Sequence, residues 1–137
     1  MISAEFVVER DDFSMDIKLE MPSAGATVLF GPSGSGKTTF INVLSGITKP
    51  ISGLVRVGAT TFFDSEKKIN LPIEKRGIGY VFQDGRLFPH MSVEENLDFG
   101  HKRANQKTNR KREIIELLGL EQLLQRKPST LSGGERQ

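Results

Sequence analysis

A glycine-rich segment is the clearest candidate for chemistry in this sequence. It matches the pattern G-x-x-x-x-G-K-[ST] completely, in the order Gly31, Pro32, Ser33, Gly34, Ser35, Gly36, Lys37 and Thr38. Glycines let the backbone approach phosphates closely with its N–H groups turned inward. The lysine adds a mobile positive charge, the Thr38 hydroxyl is a candidate ligand for Mg²⁺, and Thr39 is a candidate for a further phosphate contact. The segment therefore predicts a site for the phosphates of a nucleotide.

The elements on either side of this segment are those that the pattern requires. The preceding residues, 26 to 30, are almost wholly apolar, which predicts a strand covered on both faces. From Lys37 to Ser45 the apolar residues recur at helical spacing, and Gly46 follows as a left-handed C-terminal cap. The predicted order is strand, glycine loop and helix.

Further elements follow from alternation and from capping signals. Residues 5–9 and 14–21 alternate apolar and polar side chains, as half-buried antiparallel strands do, and short strands are predicted over 53–57, 60–63 and 77–82. In the second half, Ser92 and Glu95 have capping-box spacing and predict a helix start. An apolar stripe closed by Gly119 predicts a second helix over 109–118. The fold class is α/β, with an antiparallel β front and a helical second half.

Composition excludes several kinds of protein. The chain has 137 residues, 36% apolar and 26% charged, which predicts one folded, water-soluble domain. It has no cysteine and only two histidines, which excludes a disulfide framework and a thiol nucleophile and argues against a histidine-rich metal centre. No apolar run approaches roughly 20 residues and no leader pattern opens the chain, so neither export nor membrane insertion by its own signals is expected.

No nucleic-acid partner is predicted. The net charge is only +2, too small for a basic surface across the whole domain. A basic run over residues 102–112 has no interleaved aromatic residues for base stacking, so it reads as a solvated connection into a helix.

The end of the sequence has the form of another helix start. Ser132 can cap it, Glu135 stands three residues later, and Gly133 and Gly134 leave backbone amides uncovered for an anion. With the preceding leucine these residues resemble the signature sequence of the ABC ATPases. In that family the signature faces the γ-phosphate held by a partner subunit. The resemblance therefore implies a homodimer that encloses two ATP molecules.

Two stretches between these motifs extend the resemblance. Residues 79–84 are similar to the family's Q-loop, which implies that Gln83 reaches Mg²⁺ and the attacking water, so that Gln83 and Lys37 are the catalytic candidates. Residues 85–97 are similar to the importer stretch that receives the membrane subunit. The apolar residues Leu87, Phe88 and Met91 could form that groove, or could pack in the core. Residues 74–90 resemble molybdate-importer ATPases more than sugar or polyamine importers.

The resemblance implies a P-loop NTPase of ABC ATPase type, incomplete at its C-terminus. Residues 1–85 would form the ATP-binding core, 86–131 the helical subdomain and 132–137 the start of the signature helix. Such a subunit is peripheral to the cytoplasmic face of the membrane, binds the transmembrane subunits of an ABC permease, and couples MgATP binding and hydrolysis to uptake of molybdate or a similar oxyanion. The alternatives are a soluble ABC ATPase without a membrane partner and a non-catalytic nucleotide-binding fragment.

Two family features are ambiguous or missing. In the family an early aromatic residue usually stacks on adenine; the candidates are Phe13 and Phe6, with Phe13 favoured because it opens the second strand, and the alternative is that either packs in the core. The family's strand ending in Asp-Glu and its switch histidine have no counterpart in the sequence. Their absence predicts an unpaired, exposed edge at the strand ending in Phe30, marginal stability, and little or no ATP hydrolysis by this chain alone.

Overall fold

The computed structural model describes residues 1–10, 13–103 and 110–137 of the chain. These residues form two compact units, Met1–Tyr80 and Val81–Gln137. The predicted basic run over 102–112 and the predicted helix start at Asn109 fall wholly or partly outside what is described. The division of the chain at residues 85 and 131 stays a prediction.

The first unit contains an antiparallel sheet. Its strands are β1 (Ile2–Arg10), β2 (Phe13–Met21), β3 (Ser52–Val57), β4 (Thr60–Asp64) and β5 (Ile69–Asn70), in the spatial order β2-β1-β3-β4-β5. Every pair of neighbours is antiparallel. Four of these strands were predicted from the sequence, whereas the two-residue β5 was not. The predicted antiparallel front is therefore confirmed.

One helix, α1 (Lys37–Ser45), packs with this sheet to form the core of the first unit. Phe40 and Val43 of α1 are buried, and the ring of Phe40 stacks on that of Phe6 in β1, with centroids 6.0 Å apart. Alternate residues of β1 supply the opposite wall, as the two-residue period of a strand requires. The buried apolar residues of this core are Ala4, Phe6, Val8, Met15, Met21, Phe40, Val43, Val55, Phe62 and Phe63.

Two strands predicted from the sequence are absent from this sheet. Residues 26–30 and 77–82 have no strand assignment, and Val28, Phe30 and Val81 are largely exposed, with Phe30 fully so. An apolar run becomes a buried strand only where neighbouring strands supply its hydrogen-bond partners, and no described strand pairs with either segment. The two strand predictions are wrong for this chain. Because residues 26–30 form no strand, the unpaired strand edge expected at Phe30 is not present there, although the Phe30 side chain is fully exposed.

The second unit is helical. It contains α2 (Val93–Arg103), α3 (Arg110–Leu118) and the short α4 (Gly133–Arg136), and a 3₁₀ turn covers Pro128–Thr130. The capping box predicted at the start of α2 is present, because the Ser92 amide donates to Glu95 Oε2 at 2.7 Å and the Glu95 amide donates to Ser92 Oγ at 3.2 Å. Among the residues described, no helix is both long and apolar enough to cross a membrane.

A lysine on α3 joins the two longer helices of this unit. Lys111 Nζ lies 2.6 Å from Asp98 Oδ1 and 3.6 Å from Glu94 Oε1, both on α2. The hydrogen bond to Asp98 raises the pKa of Lys111 above its ordinary value, and the negative charge of Asp98 and Glu94 adds to that effect. The ion pair therefore fixes α3 beside the first two turns of α2.

Candidate nucleotide-binding site

The phosphate loop, residues 31–36, turns sharply between the segment ending at Phe30 and the start of α1. Gly34 and Gly36 have φ values of 80° and 87°, a left-handed conformation that side chains disfavour. The Ser35 amide donates to the Pro32 carbonyl at 3.3 Å and closes the turn. A Cβ on Gly31 would lie 2.9 Å from Ser35 Oγ, so the loop is tight at that position as well. The glycines predicted to shape the loop occupy positions where its geometry favours them.

The first turn of α1 leaves its backbone donors uncapped. Gly36 occupies the N-cap position and supplies no side-chain acceptor. The helical ladder begins only with the Phe40 amide, which donates to the Gly36 carbonyl at 2.9 Å. The amides of Lys37, Thr38 and Thr39 therefore have no partner inside the helix, and they carry the partial positive charge of its N-terminus. An anion at this end would satisfy them.

The Lys37 ammonium folds back over the phosphate loop. Its Nζ donates to the Gly31 carbonyl at 2.8 Å, to the Pro32 carbonyl at 2.6 Å and to Ser35 Oγ at 3.3 Å. These three acceptors use all three protons of the ammonium group. A full positive charge is thus held directly above the loop by a flexible stem that can be redirected toward a ligand.

Strand β2 supplies the wall beside the loop. A cleft of about 260 Å³ is lined by the loop, by Met15 and Ile17 of β2, and by Phe30, Lys37 and Phe40. A Cβ on Gly36 would lie 2.7 Å from Met15 Sδ and 3.2 Å from Phe13 Cζ. Phe13 is half-buried beside the loop and remains the candidate for adenine stacking. Phe6 is only 1% exposed and stacks on Phe40, so its candidacy is wrong.

The two residues predicted to bind Mg²⁺ lie in different elements of the chain. Thr38 is exposed in the first turn of α1, and Gln83 is exposed in a bend of the second unit. Within the described ranges, no group of three His, Cys, Asp or Glu side chains is arranged to hold a metal ion. The Thr38 hydroxyl is an oxygen donor of the kind that suits Mg²⁺, because this ion usually keeps several waters and binds through one or two protein groups and the phosphates of its substrate.

The predicted helix start at the end of the chain has its full capping box. The Ser132 amide donates to Glu135 Oε2 at 2.7 Å, and the Glu135 amide donates to Ser132 Oγ at 3.3 Å. The hydrogen bond from the Ser132 amide lowers the pKa of the Glu135 carboxyl below its ordinary value. Gly133 and Gly134 are exposed between these two residues. The capping predicted from the spacing is therefore confirmed.

Comparison with known proteins identifies the family. The family model described as ABC transporter matches residues 14–137, which contain both glycine motifs. The chain belongs to the ABC transporter family.

Curated ABC relatives resemble the chain over most or all of its length. "Molybdenum import ATP-binding protein ModC" of Aliivibrio fischeri is 44% identical over 137 residues, which is 100% of this chain and 37% of the relative. The protein of the same name from Brucella melitensis is 53% identical over 117 residues, 82% of this chain and 32% of the relative. The chain thus spans about a third of the length of these relatives.

Solved structures of ABC cassettes show the same fold. A dimeric structure of MJ0796, described as a bacterial ABC transporter cassette, superposes with a TM-score of 0.75 at 23% sequence identity. The match covers 99% of this chain and 65% of that chain. The predicted fold class, an ABC-type cassette with an antiparallel β front and a helical part, is confirmed by this likeness.

Two residues that bind α1 were not predicted from the sequence. Arg76 is 7% exposed and binds the C-terminal end of α1, because its Nη1 donates to the carbonyls of Val43 at 2.8 Å and Leu44 at 2.9 Å. Tyr80 Oη donates to Asn42 Oδ1, also on α1, at 2.8 Å. The available signal was the presence of a polar residue, Asn42, within the apolar stripe of a short helix.

A further missed residue organises the loop before α2 in the second unit. Asn96 accepts from the Phe88 amide at 2.8 Å through Oδ1, and its Nδ2 donates to the carbonyls of Phe88 at 3.2 Å and Ser92 at 2.8 Å. One amide side chain thereby fixes the loop that carries Leu87, Phe88 and Met91. Leu87 and Met91 are half-buried and Phe88 is 39% exposed, so none of the three is fully enclosed.

Proposed function

We propose that this chain is part of the ATP-binding subunit of an ABC importer that couples MgATP binding and hydrolysis to uptake of molybdate or a similar oxyanion. The observation that carries the proposal is the phosphate loop, where positive-φ glycines, an uncapped helix start and the Lys37 ammonium converge. These groups supply the N–H donors and positive charge that a triphosphate needs.

Each residue of the loop has a definite part in the proposed site. The backbone from Gly31 to Gly36, including Pro32, Ser33 and Ser35, surrounds the phosphates, and Lys37 turns from the loop carbonyls toward the β- and γ-phosphates. Thr38 and Gln83 would hold Mg²⁺, and Thr39 would add a phosphate contact. The metal would supply positive charge that neutralises the phosphates. Gln83 orients the attacking water.

A second copy of the subunit completes the site in this proposal. Ser132, Gly133, Gly134 and Glu135 face the ATP held by the partner copy, as the signature does in the family. The intact capping box supports this assignment because it fixes the backbone of this turn, and both glycines are exposed. The subunit is peripheral to the cytoplasmic face of the membrane and contacts the permease through the loop carrying Leu87, Phe88 and Met91.

The choice of molybdate rests on the relatives. Proteins 44% to 53% identical to this chain carry the name of a molybdenum importer, and the similarity includes residues on both sides of Gln83. Because this chain covers about a third of those proteins, the assignment concerns the complete subunit in its transporter.

Nucleotide binding is tested by replacing Lys37 in the full-length subunit. We expect Lys37→Ala to weaken MgATP affinity at least tenfold, because it removes the full charge at the phosphates. Lys18→Ala is the matched control, since the Lys18 side chain is 80% exposed and forms an ion pair with the exposed Glu5 at 3.0 Å. Equilibrium titration with a fluorescent ATP analogue measures both variants. Unchanged affinity in a folded Lys37→Ala protein would remove the basis of the proposal.

Transport is tested with the subunit assembled with its permease in proteoliposomes. The expected result is ATP-dependent uptake of radiolabelled molybdate that Lys37→Ala abolishes and Lys18→Ala preserves. Full ATP hydrolysis that is independent of the permease, with no uptake of molybdate or related oxyanions, would instead favour a soluble ABC ATPase.

A further inference from the structure

The segment that leads to Gln83 is fastened to the phosphate-binding helix at two points. Arg76 binds the carbonyls of Val43 and Leu44 at the end of α1, and Tyr80 binds Asn42 in its middle. Between these anchors the chain turns at Gly77, where φ is 63°. We propose that the Tyr80–Asn42 hydrogen bond positions Gln83 for hydrolysis, so that Tyr80 and Asn42 are positioning residues for the proposed ATPase reaction. This inference rests on the proposed function.

Asn42 lies inside α1, where an asparagine does not stabilise the helix. Its neighbours Phe40 and Val43 are buried in the core, whereas Asn42 is half-buried. Asparagine is less favourable than leucine or alanine inside a helix. Its Oδ1, however, accepts the Tyr80 hydroxyl at 2.8 Å, an ordinary length for such a bond. The pair therefore accounts for a polar residue in a short, otherwise apolar stretch.

Only short lengths of chain separate the Tyr80–Asn42 bond from Lys37 on one side and from Gln83 on the other. Asn42 follows Lys37 by five residues, a rise of roughly 7.5 Å along the helix axis. Gln83 follows Tyr80 by three residues, which span at most about 10 to 11 Å when extended. The hydroxyl thus ties the helix that carries the phosphate site to a point from which Gln83 has only a short length of chain to reach its ligand.

Loss of the bond should affect hydrolysis more than binding. Neither substitution alters Lys37 or the backbone amides of the loop and of the first turn of α1, which are the groups proposed to bind the phosphates, so we expect ground-state affinity for MgATP to be retained. Gln83 is needed when the water attacks, and a displacement of about 1 Å at such a residue costs up to about 100-fold in rate. A mobile anchor three residues away implies a smaller effect, about five- to twentyfold in kcat.

The experiment uses the full-length subunit assembled with its permease. Tyr80→Phe deletes only the hydroxyl, Asn42→Leu removes the acceptor, and Asn42→Asp keeps a carboxylate oxygen as acceptor. We expect Tyr80→Phe and Asn42→Leu each to lower kcat about five- to twentyfold with KM changed less than about threefold. Asn42→Asp should stay within about threefold of the parent. The double variant Tyr80→Phe/Asn42→Leu should lose no more than either single variant, because both changes delete one bond.

Ser65→Ala is the control for a purely structural loss. Ser65 Oγ accepts a part-buried hydrogen bond from the Gly53 amide at 2.9 Å, on the side of the sheet where β3 and β4 pair. It should lower the melting temperature about as much as Tyr80→Phe does, with kcat unchanged. If kcat of folded Tyr80→Phe and Asn42→Leu stays within twofold of the parent, or if their losses multiply in the double variant, the inference is wrong.

Failure of this inference is distinguishable from failure of the proposed function. If the parent assembly hydrolyses ATP in a Lys37-dependent way but is insensitive to both variants, only the role of Tyr80 and Asn42 is overturned. If the parent neither hydrolyses ATP nor binds it through Lys37, both proposals are overturned.

Discussion

Replacement of Arg76 by methionine should strongly destabilise the first unit. The guanidinium is 7% exposed and all five of its N–H donors are used. Nε donates to the Leu71 carbonyl at 2.9 Å, Nη1 donates to the carbonyls of Val43 and Leu44, and Nη2 donates to the Phe62 carbonyl at 3.4 Å and to Asn70 Oδ1 at 3.2 Å. None of these acceptors is a carboxylate. Burial lowers the pKa of Arg76, but an arginine stays protonated at neutral pH.

The size of the effect follows from the acceptors left behind. Val43 O keeps the Gly46 amide at 3.1 Å and Phe62 O keeps the Leu71 amide at 2.8 Å, so these two carbonyls remain paired. The carbonyls of Leu44 and Leu71 each lose the Arg76 donor in part-buried surroundings, at about 1 kcal/mol each or more. Loss of a positive charge at the C-terminal end of α1 adds about 0.5 to 1 kcal/mol. We therefore expect about 2 to 4 kcal/mol of destabilisation.

Urea unfolding followed by circular dichroism measures this loss. With a slope of about 2 kcal/mol per M, the midpoint for Arg76→Met should fall by about 1 to 2 M. Arg76→Lys is the companion variant, because a lysine restores the charge but not the planar five-donor group. Its midpoint should lie between those of the parent protein and Arg76→Met. A shift below about 0.3 M at unchanged slope for Arg76→Met would refute the reasoning, since it would mean that the carbonyls need no guanidinium.

Three other changes have expected outcomes in the same unfolding assay. Gly53→Ala should cost more than about 2 kcal/mol, because φ is 113° and the new Cβ would lie 2.5 Å from Phe6 Cα; a neutral result would show that β1 and β3 can separate freely. Lys68→Gly should raise the free energy of unfolding by up to about 1 kcal/mol, because Lys68 is a non-glycine residue at φ 54°; a lower urea midpoint would contradict the strain argument. Lys111→Met should cost about 0.5 to 1 kcal/mol at neutral pH, and the gap should close at high pH. The folded pKa of Lys111 is raised, so its contribution is complete below the unfolded pKa and disappears as pH rises through the folded value. A gap that does not narrow as pH rises above the ordinary lysine pKa of about 10.4 would exclude the ion pair as its cause.

The sequence alone determined the features that depend on neighbours in the chain. The phosphate loop needs glycines at fixed positions and a lysine one residue beyond, all within eight consecutive residues, so the pattern carries its own geometry. The capping boxes at Ser92 and Ser132 are likewise contacts between residues three apart, and both were predicted correctly. Alternation along β1 and β2 identified strands because a sheet with one buried face imposes a two-residue period.

Tertiary structure alone decided the features that depend on distant partners. Residues 26–30 and 77–82 have the composition of buried strands, but a strand exists only where another backbone completes its hydrogen bonds, and composition does not report that partner. The sequence does not distinguish Phe6 from Phe13, because both are phenylalanines in predicted strands. Packing places Phe6 inside the core and Phe13 beside the phosphate loop. Arg76 reaches carbonyls more than 30 residues away, and Tyr80 reaches an amide oxygen 38 residues away. Local patterns encode the phosphate site because its geometry is local, whereas the contacts that hold its helix form only after the chain has folded.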